Sequence, residues 1–186
     1  MFKTVLLLLL LAPSSNVKWV VLKGSSLRVN GTTNVNKFSC LVKDYANPDT
    51  LVFYQNQTMS GSVSLPVLSF DCMSAPMTEG LRKALNVKTF PRLNISFVSL
   101  NKYPALKSTE EVVSGTVYIE LAGKSRKINV NYTIFMDDHQ VIHLIGKQTI
   151  TFTAFGLTPP RKLGGMIKTD DQLDVEFHLN FKAIKD

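Results

Sequence analysis

A chain of 186 residues can bury one sizeable core but is short for two, so a single domain is expected. With 45% apolar and 19% charged residues and no low-complexity tract, the composition excludes a disordered or fibrous protein. The net charge of +7 favours anionic partners such as lipid head groups, membrane surfaces or nucleic acid. Along the chain, however, the basic residues are scattered, with only Lys124, Arg126 and Lys127 close together, which is the pattern of a solvated basic surface.

Lys3, the unbroken apolar run from Val5 to Ala12 and the small residues that follow predict a secretory signal peptide over residues 1–14, cleaved near Ser14 or Ser15. The run falls well short of the roughly 20 residues a membrane-spanning helix needs. An uncleaved N-terminal anchor is the alternative. Residues 15–186 then form one domain.

Strands are expected near 18–22, 26–32, 37–45, 51–57 and 61–70, separated by turn formers such as Asn47-Pro48-Asp49. Met77, Leu81 and Leu85 at helical spacing, behind a proline suited to a first turn, predict a helix over 76–86 whose apolar stripe caps a barrel end. Pro91 returns the chain to an extended path.

Strict alternation follows: Leu93, Ile95 and Phe97; Val113, Gly115, Val117, Ile119 and Leu121; Ile128, Val130, Tyr132 and Ile134; and at the C-terminus Leu173, Val175, Phe177, Leu179 and Phe181. These are half-buried antiparallel strands. Ala122-Gly123-Lys124 and Asp137-Asp138-His139 read as hairpin tips. The segment 140–154 is long for one strand, and Gly146 in its middle is expected to bend or bulge it. The stretch from Pro159-Pro160 to Gly164-Gly165 reads as a long loop.

Eight or nine strands, each apolar on one face, must stack as a sandwich or close on themselves. Short connections favour closure, so the expected fold is all-β: an antiparallel, up-and-down, eight-stranded, lipocalin-like β-barrel with one or two short helices. Cys40 and Cys72 admit two readings, a disulfide or two independent thiols. In an exported protein a bridge across 32 residues is worth about 3–4 kcal/mol by chain entropy.

Three motifs in order carry a resemblance: Ser26 to Val35 followed by Phe38; Met77 to Leu85 leading into Phe90-Pro91 and Ile95-Ser96-Phe97; and Ser114-Gly115-Thr116-Val117 with Ala122-Gly123-Lys124 and the stretch from Thr151 to Leu157. Together they resemble the YceI-like proteins, exported lipocalin-like barrels that bind polyisoprenoid or related lipids. The chain departs from that pattern in Ala154-Phe155 before Gly156 and in its cysteine pair.

The resemblance implies an exported, periplasmic or secreted, non-catalytic carrier or sequestering protein. Its ligand would be a polyisoprenoid, an isoprenoid quinone or a fatty acyl chain held in the barrel, with no required cofactor and no nucleic acid. Transient membrane-surface contact and a homodimer are both compatible with it. Candidate lining residues are Phe38, Phe97, Val117, Ile119, Tyr132, Ile134, Leu144, Phe152, Phe177 and Leu179, with Tyr132 and Tyr118 as hydrogen-bond donors near an opening. A side-chain-filled barrel in a stress-response or structural interaction protein uses the same inward residues, and periodicity alone does not separate the two.

Catalytic patterns are missing. His139, His143 and His178 are expected at the surface, the first two too far apart along a strand for one metal, and Asp137 and Asp138 form a hydrated turn. Gly123-Lys124-Ser125 ends like a phosphate-binding loop, but Tyr118 stands where its first glycine belongs. In the bacterial setting that the resemblance implies, the tripeptides starting at Asn30, Asn56, Asn94 and Asn131 read as chance matches to a glycosylation pattern.

Overall fold

The period-two alternation that begins at Val17 sends every second side chain to one face, and the strands bend that face inward around a common core. The computed structural model describes residues 16–45, 47–54 and 56–185, so the expected signal peptide lies outside the described residues. The strands are β1 (Val17–Val21), β2 (Ser25–Thr33), β3 (Lys37–Tyr45), β4 (Thr50–Phe53), β5 (Met59–Ser60), β6 (Ser62–Pro66), β7 (Arg92–Leu100), β8 (Glu111–Leu121), β9 (Lys124–Met136), β10 (Ile142–Thr151), β11 (Arg161–Lys162) and β12 (Ile167–Lys185). One helix, α1 (Ala75–Ala84), and short 3₁₀ turns at Val67–Ser69, Thr153–Phe155 and Leu163–Gly165 complete the fold.

All pairings are antiparallel, in the order β5-β4-β1-β12-β10-β9-β8-β7-β6, with β2 and β3 branching from β12 beside β1. The 19 residues of β12 form the spine, because its first half pairs with β2 and its last five residues pair with β1. Ring closure comes from β7: Thr58 bridges to Ser99, and the amides of Phe97 and Leu100 donate to Gly61 O and Gln57 O at 3.0 and 3.1 Å. The result is a nearly closed antiparallel barrel.

The expected count of eight strands is corrected to nine to twelve among the described residues, depending on how collinear pieces are counted. Long strands are broken into collinear pieces: β1 and β2 lie in succession along β12, separated at 22–24, and β5 and β6 are separated at Gly61, whose φ of +126° breaks the extended path. The strand expected over 51–57 ends at Phe53, and that over 61–70 ends at Pro66. Gly146 does not bulge: the β10 ladder runs through it without a register shift, and a Cβ there would meet the Phe177 ring at 2.1 Å. The glycine makes room for an aromatic ring. At the β8–β9 hairpin Ala122 and Gly123 both adopt positive φ, the mirror-image turn that matches strand twist.

One seam lacks a ladder, between β3 and β6. There the Tyr45 hydroxyl bonds the Asp49 carboxylate and donates to Ser64 O at 2.8 Å, while burial, reinforced by Asp49, holds its pKa up at about 12. Below the seam, Leu41 and Asp71 exchange backbone bonds of 2.8 and 3.0 Å, and the Cys40–Cys72 disulfide staples the same two segments. The disulfide reading of the two cysteines is therefore the one the fold adopts.

The helix begins at an extended Ser74 with proline in its first turn and carries Arg82 and Lys83 in its last, where a helix end favours cations. Arg82 donates to Leu68 O and Phe70 O, and Thr78 Oγ1 accepts the Cys72 amide at 3.0 Å, so α1 is tied to the disulfide segment. It lies across one end of the barrel with Leu81 and Leu85 buried against the core. At the opposite end Trp19 packs on Phe53 and Phe181 at ring separations of 4.1 and 5.7 Å, a solid aromatic plug.

Candidate functional site

Between the plug and α1 the interior is not completely filled. A hollow is walled by Leu27 and Val29 of β2, Leu93 and Ile95 of β7, Val117, Ile119 and Leu121 of β8, Val130 and Tyr132 of β9 and the inward residues of β10 and β12, with Phe70, Leu81 and Leu85 over it. The surface these side chains present to it is apolar throughout, including that of Tyr132 and Gln148. The centre of a water-sized sphere has only about 60 Å³ in which to move within it. On that measure one water needs roughly 10–15 Å³, so the hollow is a narrow apolar slot, and a long chain enters it only if side chains give way.

The barrel wall parts beside this slot. Pairing of β9 with β10 stops at Asn131 and Lys147, while β9 continues on β8 and β10 continues on β12. Toward α1 the two strands therefore separate. Four inward-facing residues near the split, Ile119, Gln148, Ile150 and Val175, are only half-buried although they line the hollow. This parting of two neighbouring strands is the natural route into the slot.

Of the ten candidate residues, Val117, Ile119, Tyr132 and Phe177 line this hollow. Tyr132 and Phe177, their rings 5.7 Å apart and edge-on, form its floor, and Phe97 lies beyond at 6.5 Å from Tyr132. Ile134, Leu144 and Leu179 are direct cross-strand neighbours on β9, β10 and β12, packed between the floor and the plug with no contact to the hollow. Phe38 and Phe152 face a smaller pocket under α1 with Met77 and Gly80.

Tyr132 is not near an opening: it is 1% exposed, its hydroxyl has no partner, and burial raises its pKa. Tyr118 points outward and is 44% exposed. Leu81 and Leu85 were legible as the helix stripe, whereas Leu27, Val29 and Gln148 carried no signal that set them apart from other inward positions.

His143 and His178 depart from expectation too, whereas His139 is exposed. Pairing of β10 with β12 brings His143 Nδ1 to 2.9 Å from His178 Nε2, and His143 Nε2 lies 3.2 Å from Asp137 Oδ2, with Phe135 stacked on His143 at 4.6 Å. The two rings are half-buried on the outer wall, not at a free surface. Among the described residues no group of three or more His, Cys, Asp or Glu is placed to hold a metal.

Burial first, and His143 second, hold the His178 imidazole below its ordinary pKa of 6.5, with Glu176 opposing. The folded state then resists protonating His178 while the unfolded state accepts the proton, so stability falls as pH drops below about 6.5 and levels off below the folded pKa. Urea midpoints measured from pH 7.5 down to 5 should fall in the wild type and flatten in His178→Gln; equal slopes in the two proteins would place the titration elsewhere.

No family model matches the sequence, and no curated protein does either. Solved structures do share the architecture. A polyisoprenoid-binding domain from Saccharophagus degradans, implicated in plant cell wall breakdown, is 10% identical with a TM-score of 0.67, the match covering 90% of this chain and 98% of that one. Burkholderia cenocepacia BcnA is 17% identical with a TM-score of 0.63, over 84% and 94% of the two chains. The Campylobacter jejuni YceI protein is 15% identical with a TM-score of 0.56, over 81% and 84%. At these identities the likeness is one of fold. The chain has the YceI-like barrel fold, as its motif order implied.

Proposed function

We propose that the protein is an exported, periplasmic or secreted, non-catalytic carrier that holds the chain of an amphiphilic lipid in the slot between α1 and the Tyr132–Phe177 floor. The observation that carries this reading is a wholly apolar hollow beside a parted wall, in a fold shared with a polyisoprenoid-binding domain. Polyisoprenoid, isoprenoid quinone and fatty acyl chains all meet the chemistry of such a wall, where each buried methylene contributes about 0.8 kcal/mol and no polar partner is needed. The slot is narrow, so binding widens it by moving leucine, isoleucine and valine side chains.

That same narrowness favours a second reading, a side-chain-filled barrel that acts through its outer surface. Organic extraction of gently purified protein followed by mass spectrometry separates them. The carrier yields a stoichiometric long-chain lipid, and Ile119→Trp, which fills a half-buried position of the wall, abolishes it without unfolding the barrel. An empty extract from wild-type protein supports the filled barrel instead.

A further inference from the structure

The basic residues, scattered along the sequence, are gathered in space. Four connections meet at the α1 end of the barrel: the β2–β3 turn through Lys37, residues 67–92 with α1, the β8–β9 turn through Lys127, and residues 152–171. They carry eleven of the 21 lysines and arginines and four of the 14 aspartates and glutamates, a local balance of +7. Among the described residues, this end of the barrel is strongly basic.

The same end carries exposed apolar tips. Among the described residues six large hydrophobic side chains are more than half exposed, and five of them are Val35, Leu68, Met73, Leu163 and Met166, all on those connections; only Val112 lies elsewhere. Side-chain bonds to backbone carbonyls tie these connections to one another. Asn34 Nδ2 donates to Met166 O at 2.8 Å, the Lys162 ammonium donates to Pro76 O in α1, and Arg82 donates to the Leu68 carbonyl. Isolated exposed apolar residues need no explanation, but a group of them rimmed by cations at one pole is the pattern of an interfacial surface.

We propose that this pole docks on an anionic lipid bilayer, its five apolar tips entering the head-group region while the surrounding lysines and arginines meet lipid phosphates. Charge complementarity selects the occupant: a second copy of this chain would oppose two poles of the same sign, whereas an anionic membrane attracts each cation. The parted strands β9 and β10 open toward the same end, so docking would set the slot beside the lipid it takes up or delivers. The docking surface thus complements the carrier reading, and its test is independent of it.

The test is co-sedimentation of the mature protein with vesicles of phosphatidylcholine alone or mixed with phosphatidylglycerol. Binding is expected only to the mixed vesicles, weakening as salt rises. Loss of two inserted apolar contacts and gain of two like-charged carboxylates should lower the affinity of Leu163→Asp/Met166→Asp by about tenfold or more. Val112→Asp, an equally exposed change away from these connections, should bind like the wild type, with circular dichroism confirming both folds.

Absence of binding to mixed vesicles, an unaffected double variant, or a dimer in sedimentation velocity that the double variant abolishes would each overturn the docking surface. A protein that yields lipid on extraction but ignores vesicles refutes docking alone, and one that binds vesicles but extracts empty refutes the carrier alone.

Discussion

Replacing Cys40 and Cys72 together by alanine is expected to destabilise the barrel by about 3–4 kcal/mol, the chain-entropy value for a loop of this length. The bridge joins β3 to the segment that leads into α1, at the seam where β3 and β6 share no ladder. Once it is cut, that seam is held by the Tyr45 hydroxyl, the Leu41–Asp71 backbone pair and the contacts of Arg82. Both sulfurs are buried, so the alanines lose packing as well as the link. Urea unfolding of the double variant against oxidised wild type measures the loss; a difference under about 1 kcal/mol would mean that these weaker contacts close the barrel without the bridge.

The inward face was legible because one chemical property, apolar side chains two apart, repeats over β7, β8, β9 and β12 whatever surrounds them. Height along the barrel axis was not. Phe177 and Leu179 obey the same alternation, yet one forms the floor of the hollow and the other lies in solid core, a distinction set by where α1 sits and where the Trp19 plug begins. Gly146 shows the same limit. A glycine in a strand serves either a bulge or a nearby ring, and only the register that places it opposite Phe177 decides. The placing of charge was hidden for a related reason: four connections far apart in sequence each contribute a few cations, and no window along the chain sees their sum. His143 and His178 are likewise 35 residues apart and meet only through the pairing of β10 with β12.

The floor of the hollow yields the most informative change. The Phe177 ring occupies the space that Gly146 leaves and meets Tyr132 edge-on, so Phe177→Ala removes a ring that ends the slot and opens it toward Leu144 and Leu179. Loss of a buried phenyl group costs about 3–5 kcal/mol, with the upper values applying where the walls cannot collapse. If the slot sets the length of its guest, lipid extracted from Phe177→Ala is longer than that from the wild type, and the gain in burial offsets part of the lost stability in the loaded protein. Gly146→Ala reads the same contact from the other side. Its methyl group collides with the ring in the wild type but fills vacated space once Phe177→Ala has removed that ring, so the two substitutions should be less harmful together than the sum of each alone. An unchanged lipid length in Phe177→Ala would show that the guest stops short of this floor, whereas additive costs would show that Gly146 was not clearing room for the ring.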